Sequence, residues 1–250
     1  MKTIAVVCQK GGVGKTTTAL NMGAGLALKG KKILFVDLDA QANLTETLGA
    51  DSRAATVLDV LTGDVAVQSA VQHLPLGDVL PAGAGLAGAD LVISGARREY
   101  KLQEALASIA ALYDYAIIDT PPALGIFTVN ALAAASDIVV PVQADIYSLR
   151  AIGQLSQTVS AVRDHCNPGL VISGILLTRH NNRSVLSRDI ADMIDETAKA
   201  LQTRVFVSCV REAVAVKESQ ARSQDIFSYA PKSGAAKDYQ GFIDEYLSWG

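Results

Sequence analysis

The run Gln9-Lys10-Gly11-Gly12-Val13-Gly14-Lys15-Thr16-Thr17 concentrates glycines, lysines and hydroxyls in nine residues, and its chemistry is that of a phosphate-binding loop. Glycines let backbone N–H groups converge on an anion, Lys15 suits the β- and γ-phosphates, and the Thr16 hydroxyl suits Mg²⁺. The general pattern GxxxxGK[ST] asks for glycine where Gln9 stands, so the match departs by one residue and gains Lys10. Acids recur at the ends of apolar runs. Asp37 and Asp39 follow Lys32–Val36, and Asp119 follows Tyr115–Ile118 and precedes Thr120-Pro121-Pro122. An acid closing a hydrophobic strand is the physical content of a Walker B element, which places Asp119 facing Mg²⁺. Blander readings stay open: a glycine-rich turn without ligand, Asp37 and Asp39 capping a helix near Thr45, and Asp119 capping the next turn.

These residues need a scaffold that brings strand ends together. Thr3–Cys8, Lys32–Asp37, Tyr115–Asp119, Asp137–Val142 and Leu170–Leu177 are short, apolar and rich in β-branched residues, as expected of strands buried on both faces. A further strand is expected at Asp78–Pro81. Helical patterns fall at Thr18–Lys29, Thr56–Leu61, Arg97–Leu112, Gly125–Ala134, Ser148–Arg163 and Ala236–Trp249. In the first of the long ones Leu102, Leu106, Ile109 and Leu112 are read as core. In the last, Tyr239, Phe242, Ile243 and Leu247 are. Alternating strands and helices predict an α/β fold, a doubly wound, mostly parallel sheet flanked by helices. Ligands bind such sheets beyond the strands' carboxyl ends, which sets Asp37 and Asp39 beside the loop.

With 250 residues, half of them apolar, the chain can bury one sizeable core, and residues 1–250 read as a single domain. A net charge of −3 excludes a globally polybasic nucleic-acid binder. Positive charge is displaced toward one end, however. From Arg179 to Arg222, eight basic residues face six acids, while the remainder holds fourteen and nineteen. A solvated helix face is the bland account of this excess. Cys8, Cys166 and Cys209 form no CxxC pair, which fits burial in a reducing compartment rather than a disulfide framework or a metal knuckle. A strand begins almost at once, so no export signal and no N-terminal helix-turn-helix is expected, and no apolar run reaches the length of a membrane span.

Lys10-Gly11-Gly12-Val13-Gly14-Lys15-Thr16-Thr17 resembles the deviant Walker A loop of the ParA/MinD group of ATPases, and the resemblance runs through most of the chain. Asp37-Leu38-Asp39-Ala40-Gln41-Ala42-Asn43 is similar to that family's DxDPQGN, with alanines replacing proline and glycine. Pro81-Ala82 with Leu86–Asp90, Asp119–Pro122, Thr128–Leu132, Gln143–Asp145, Val210–Val214 and Tyr229–Gly234 match further family stretches. The resemblance implies a P-loop ATPase of the ParA/Soj type using ATP and Mg²⁺. It assigns phosphate and nucleotide contacts to Gly11, Gly12, Val13, Gly14, Lys15, Thr16 and Thr17, and adenine contacts to the loop at Val210 and Arg211. Asp39 orients the attacking water, Thr16 and Asp37 support the metal, and Asp119 acts through a metal-bound water. Lys10 reaches the nucleotide of a facing subunit, giving a homodimer bridged by ATP.

Further implications concern partners. The dimer would hold DNA without reading sequence, through basic residues such as Arg204, Arg211, Lys217 and Arg222, and a ParB-like or other adaptor would stimulate hydrolysis. The protein would be cytoplasmic, and nucleoid-associated when ATP-bound. A MinD-like membrane tail would be basic, whereas Asp238, Asp244 and Glu245 follow Lys237 without another lysine or arginine. The alternatives are a MinD-like membrane-associated positioning ATPase and a metabolic ATP-dependent synthetase of the same fold. The iron protein of nitrogenase would need paired cysteines, and a tyrosine autokinase would need a tyrosine-rich tail.

Overall fold

The computed structural model describes residues 1–89, 92–180 and 185–249, with the backbone alone for 185–188. Short apolar runs form one sheet of six strands: β1 Lys2–Val6, β2 Ile33–Asp37, β3 Asp78–Leu80, β4 Tyr115–Asp119, β5 Asp137–Val142 and β6 Val171–Leu177. All neighbours pair in parallel, in the order β3-β2-β4-β1-β5-β6. The chain therefore moves outward from β1 to β3, returns to insert β4 beside β1, and continues past β1 to β6. Ligands of open α/β sheets bind where the strand order reverses, at the carboxyl ends. The loop leaving β1 lies there.

Helices join and cover the strands: α1 Lys15–Leu28, α2 Asn43–Leu48, α3 Val57–Thr62, α4 Val67–Ala70, α5 Lys101–Ile109, α6 Ile126–Ala134, α7 Ile146–His165, α8 Val185–Ala200, α9 Val214–Ala221, α10 Ile226–Tyr229 and α11 Gly234–Leu247. Strand side chains alternate between two cores, which is why both faces had to be apolar. Ala5, Leu34, Val36, Ala116 and Ile118 join Leu102, Leu106, Leu132 and Leu155 on one side. Ile4, Val6, Ile33, Phe35 and Ile117 join Leu20, Met22, Leu26, Phe242 and Ile243 on the other. Helix α1 lies flush on the second face because Gly23 and Gly25 have no side chain. A Cβ on Gly23 would come within 2.2 Å of the Phe35 ring, and one on Gly25 within 2.2 Å of Ile243 Cδ1.

The expected strands and helices are present, with small shifts at their ends. The helix expected from Thr18 already begins at Lys15, inside the glycine loop. The helical stretch expected over Arg97–Leu112 is regular only from Lys101 to Ile109, with 3₁₀ turns before and after it. The tighter final turn rotates Leu112 out of the stripe, so Leu112 is 58% exposed instead of core. In α11, Tyr239, Phe242 and Ile243 are buried as expected, Tyr246 joins them, and Leu247 is only half-buried. Cys8 is buried, whereas Cys166 and Cys209 are only partly so, contrary to the expectation of burial for all three. No described helix is long and apolar enough to cross a membrane. Asp90, Arg183 and the Arg188 side chain, all part of the sequence argument, lie outside the described residues.

Candidate nucleotide and metal site

Three strand ends meet under the glycine loop. In register, Val6 of β1 and Asp37 of β2 both stand opposite Asp119 of β4. Positive φ at Gly12 (75°) and Gly14 (88°) turns the chain from β1 into α1, a conformation that glycine adopts without penalty. A Cβ built on Gly11 or Gly12 would meet nothing within 4 Å. That open space, at the N-terminus of a fourteen-residue helix, faces free N–H groups and the positive end of the helix dipole. Lys15 is only 7% exposed and curls back so that Nζ donates to the Lys10 carbonyl at 3.1 Å. Gly11, Gly12, Gly14, Lys15, Thr16, Thr17 and Asp39 line one cleft of about 470 Å³.

The acids beneath it differ in what they bind. Asp37 is fully buried; Oδ1 accepts from Asp39 N at 3.0 Å, and Oδ2 from Thr45 N at 2.9 Å and Thr45 Oγ1 at 2.7 Å. It thus ties the β2 loop to α2. Burial pushes its carboxyl up to about 6 despite those bonds. Asp39 Oδ1 accepts from Gln41 N at 3.0 Å, while Oδ2 has no hydrogen-bond partner among the described residues. Ala42 takes the left-handed φ of 52° where the related motif has glycine, so the loop keeps that bend in spite of the substitution.

Asp119 is 1% exposed, and both of its carboxylate oxygens are buried without a hydrogen bond. Burial and then the neighbouring Asp37 raise it well above the ordinary carboxyl range, while Thr16 and Lys15 partly offset them. Two orphaned carboxylate oxygens of Asp119 beside the Thr16 hydroxyl are hard oxygen donors, which fits Mg²⁺ and its retained waters. Asp37, expected to support the metal, has both oxygens bonded to Asp39 N and Thr45 and offers only its charge.

Lys10 stands at the loop mouth and forms an ion pair with Asp145, which also caps α7 through Ser148 N at 3.0 Å. Burial pushes the Asp145 carboxyl up, but the bonds from Lys10 and Ser148 outweigh it and hold it below its ordinary value. Its neighbour Gln143 donates to the Gly12 carbonyl at 3.0 Å, and Thr178 Oγ1 to the Val13 carbonyl at 2.8 Å. Ends of β5 and β6 therefore clamp the loop from one side. The sequence marks Gln143–Asp145 only as a stretch similar to the family's, and it does not single out Thr178. Their partners lie more than 130 positions away, so no local pattern marks them.

Beside the phosphate cleft, Val13, Val210, Ala213, Val216 and Tyr239 line a smaller, more apolar cavity with Arg211 at its edge. Arg211 is fixed there by a bidentate pair with Asp238, at 2.6 and 2.8 Å. The four basic residues singled out for DNA do not share a face in one subunit. Lys217 and Arg211 border this cavity, Arg222 lies over Tyr229, and Lys217 pairs with Glu212. Arg204 stacks on Trp249 at 3.5 Å beside Lys2 and Val171, where strands begin, at the opposite end of the sheet.

A family model described as an AAA domain matches residues 1–172. The sporulation initiation inhibitor protein Soj of Bacillus subtilis is 38% identical over 257 residues, covering 100% of this chain and 99% of that protein. Chromosome partitioning protein ParA of Caulobacter vibrioides is 36% identical over 99% of this chain and 94% of its own. Among solved structures, one described as cobyrinic acid a,c-diamide synthase of Mycobacterium smegmatis with ADP and magnesium superposes with a TM-score of 0.85 at 36% identity, over 99% of this chain and 94% of that one. Joined to the loop and the acids beneath it, this likeness along the full length shows that the chain belongs to the ParA/Soj family of partition ATPases, within the ParA/MinD group of P-loop proteins.

Proposed function

We propose that the chain is an ATP-driven partition switch: ATP joins two copies face to face, the pair holds DNA without reading its sequence, and hydrolysis, stimulated by an adaptor protein, lets go. The observation that carries it is the convergence at one cleft of the open glycine cradle, Lys15, Asp39 and the orphaned Asp119. Lys15 and the loop N–H groups hold the phosphates; Asp39, through its free Oδ2, orients the attacking water in line with the leaving group. Mg²⁺ held on the Thr16 and Asp119 side would neutralise charge developing on the phosphate oxygens. Phosphoryl transfer depends chiefly on such positioning and charge, so few groups suffice. Asp37 acts as the anchor that sets Asp39.

Lys10 is tied to Asp145 at the loop mouth and is not among the residues that line its own phosphate cleft, which favours a role toward a facing one. The scattered cations favour a dimer as well, since only a second copy could gather enough of them for phosphate-backbone binding. A membrane-held positioning ATPase fits less well: α11 buries Tyr239, Phe242, Ile243 and Tyr246 in the core and has no free apolar face to offer lipid. The second reading, an amide-forming synthetase, is favoured by the Mycobacterium smegmatis structure. Binding to two unrelated duplexes with ATP, ADP and no nucleotide separates them. The switch requires ATP-dependent affinity, equal for both duplexes and falling with salt at a log–log slope of roughly 0.9 per phosphate neutralised. No ATP-dependent binding at low salt, with ATP turnover raised by ammonia and a carboxylate, would establish the synthetase instead.

A further inference from the structure

We propose that Gln220 is the ribose-recognising residue of the nucleotide site, an inference that rests on the ATPase reading. The phosphate cleft and the smaller apolar cavity share four lining residues among those described: Gly14, Thr17, Arg179 and Gln220. In a nucleoside phosphate the sugar must lie between the base and the phosphates, so whatever borders both cavities borders the sugar. Gly14 has no side chain. Arg179 is a cation with donors only, and its complement is a phosphate oxygen rather than a neutral hydroxyl. Thr17 is 8% exposed, and its hydroxyl already accepts from Gln220 Nε2 at 2.6 Å.

That bond fixes the amide. With Nε2 committed to Thr17, the Gln220 carbonyl Oε1 is the neutral acceptor that remains at the boundary, matched to a sugar hydroxyl as donor. The reach is built in by the fold: Gln220 sits near the end of α9, 203 positions from Thr17, and the start of α10, which follows, is held to α1 by Asn21, whose Oδ1 accepts from Ile226 N at 2.8 Å. Because Gln220 itself is exposed, an incoming nucleotide can reach it without displacing core.

Titrating the full chain with Mg²⁺ and ADP, 2′-deoxy-ADP or 3′-deoxy-ADP tests this, since diphosphates avoid turnover. The parent protein should bind ADP roughly 3- to 10-fold more tightly than at least one deoxy analogue, the worth of one neutral hydrogen bond. Gln220→Ala should lose that factor for ADP and for any analogue that keeps the bonded hydroxyl, so that all three bind alike, whereas Gln220→Asn should recover part of the discrimination. Equal affinities in the parent, undiminished discrimination in Gln220→Ala, or equal weakening of all three ligands would each overturn the assignment, the last by showing that Gln220 only seats α9. Failure of the parent to bind any of them would overturn the nucleotide reading itself.

Discussion

At the scale of single residues, Asp119 and Asp39 divide the work by environment. Asp119 is sealed with both oxygens unbonded, whereas Asp39 faces the cleft with one oxygen unbonded among the described residues; in the proposed switch the first would serve the cation and the second the attacking water. Asp39→Ala should bind ATP normally and turn it over about 10²-fold more slowly or worse, as measured by phosphate release. Lys15→Ala should lose ATP binding, because the one ammonium buried at the cradle among the described residues is gone. Asp119 adds a pH dependence. Its folded carboxyl is raised above the unfolded value near 3.8, so its contribution to stability is fully present below that value and is lost as pH rises toward the folded one. Nucleotide-free Asp119→Asn should therefore match the parent near pH 4 and exceed it increasingly toward pH 8 in thermal or denaturant unfolding. Equal pH profiles would show that the carboxylate is not held unpaired.

Among elements, α1 makes the site because it can press against the sheet. Alanine is a better helix former than glycine by about 1 kcal/mol, yet Gly23→Ala should destabilise by about 1–3 kcal/mol, since its methyl would enter the Phe35 ring. A stability gain in urea unfolding would mean that α1 stands farther from β2 than the structure places it. The strands and this helix were legible in the sequence because burial on two faces leaves unbroken apolar runs, and because a glycine loop between strand and helix is a local pattern. Leu112 was misjudged for the converse reason. Helical spacing continued in the sequence beyond Ile109, but the backbone tightened into a 3₁₀ turn, which no periodicity of side chains reports.

For the whole molecule, what the sequence could not show was the meeting of distant segments. Gln143, Asp145, Thr178 and Gln220 touch the loop from β5, β6 and α9, and each is an ordinary polar residue until the fold brings it there. The basic excess from Arg179 to Arg222 illustrates the opposite failing: it was legible as composition, but the structure sends Arg204 to the far end of the sheet from Arg211 and Lys217. In one subunit the basic residues are thus divided between the two ends of the sheet, and Lys10 is held by Asp145 at the mouth of its own site.

ATP-dependent pairing of two copies is the central step of the proposed switch. Light scattering of Asp39→Ala, which should hold ATP and consume it only slowly, gives the most direct measurement, read against the chain mass of 26.2 kDa. The account predicts twice that mass with Mg²⁺-ATP, the single mass with ADP, and the single mass with ATP once Lys10→Ala is added while nucleotide binding persists. A dimer that forms equally with ADP, or that survives Lys10→Ala, would contradict it.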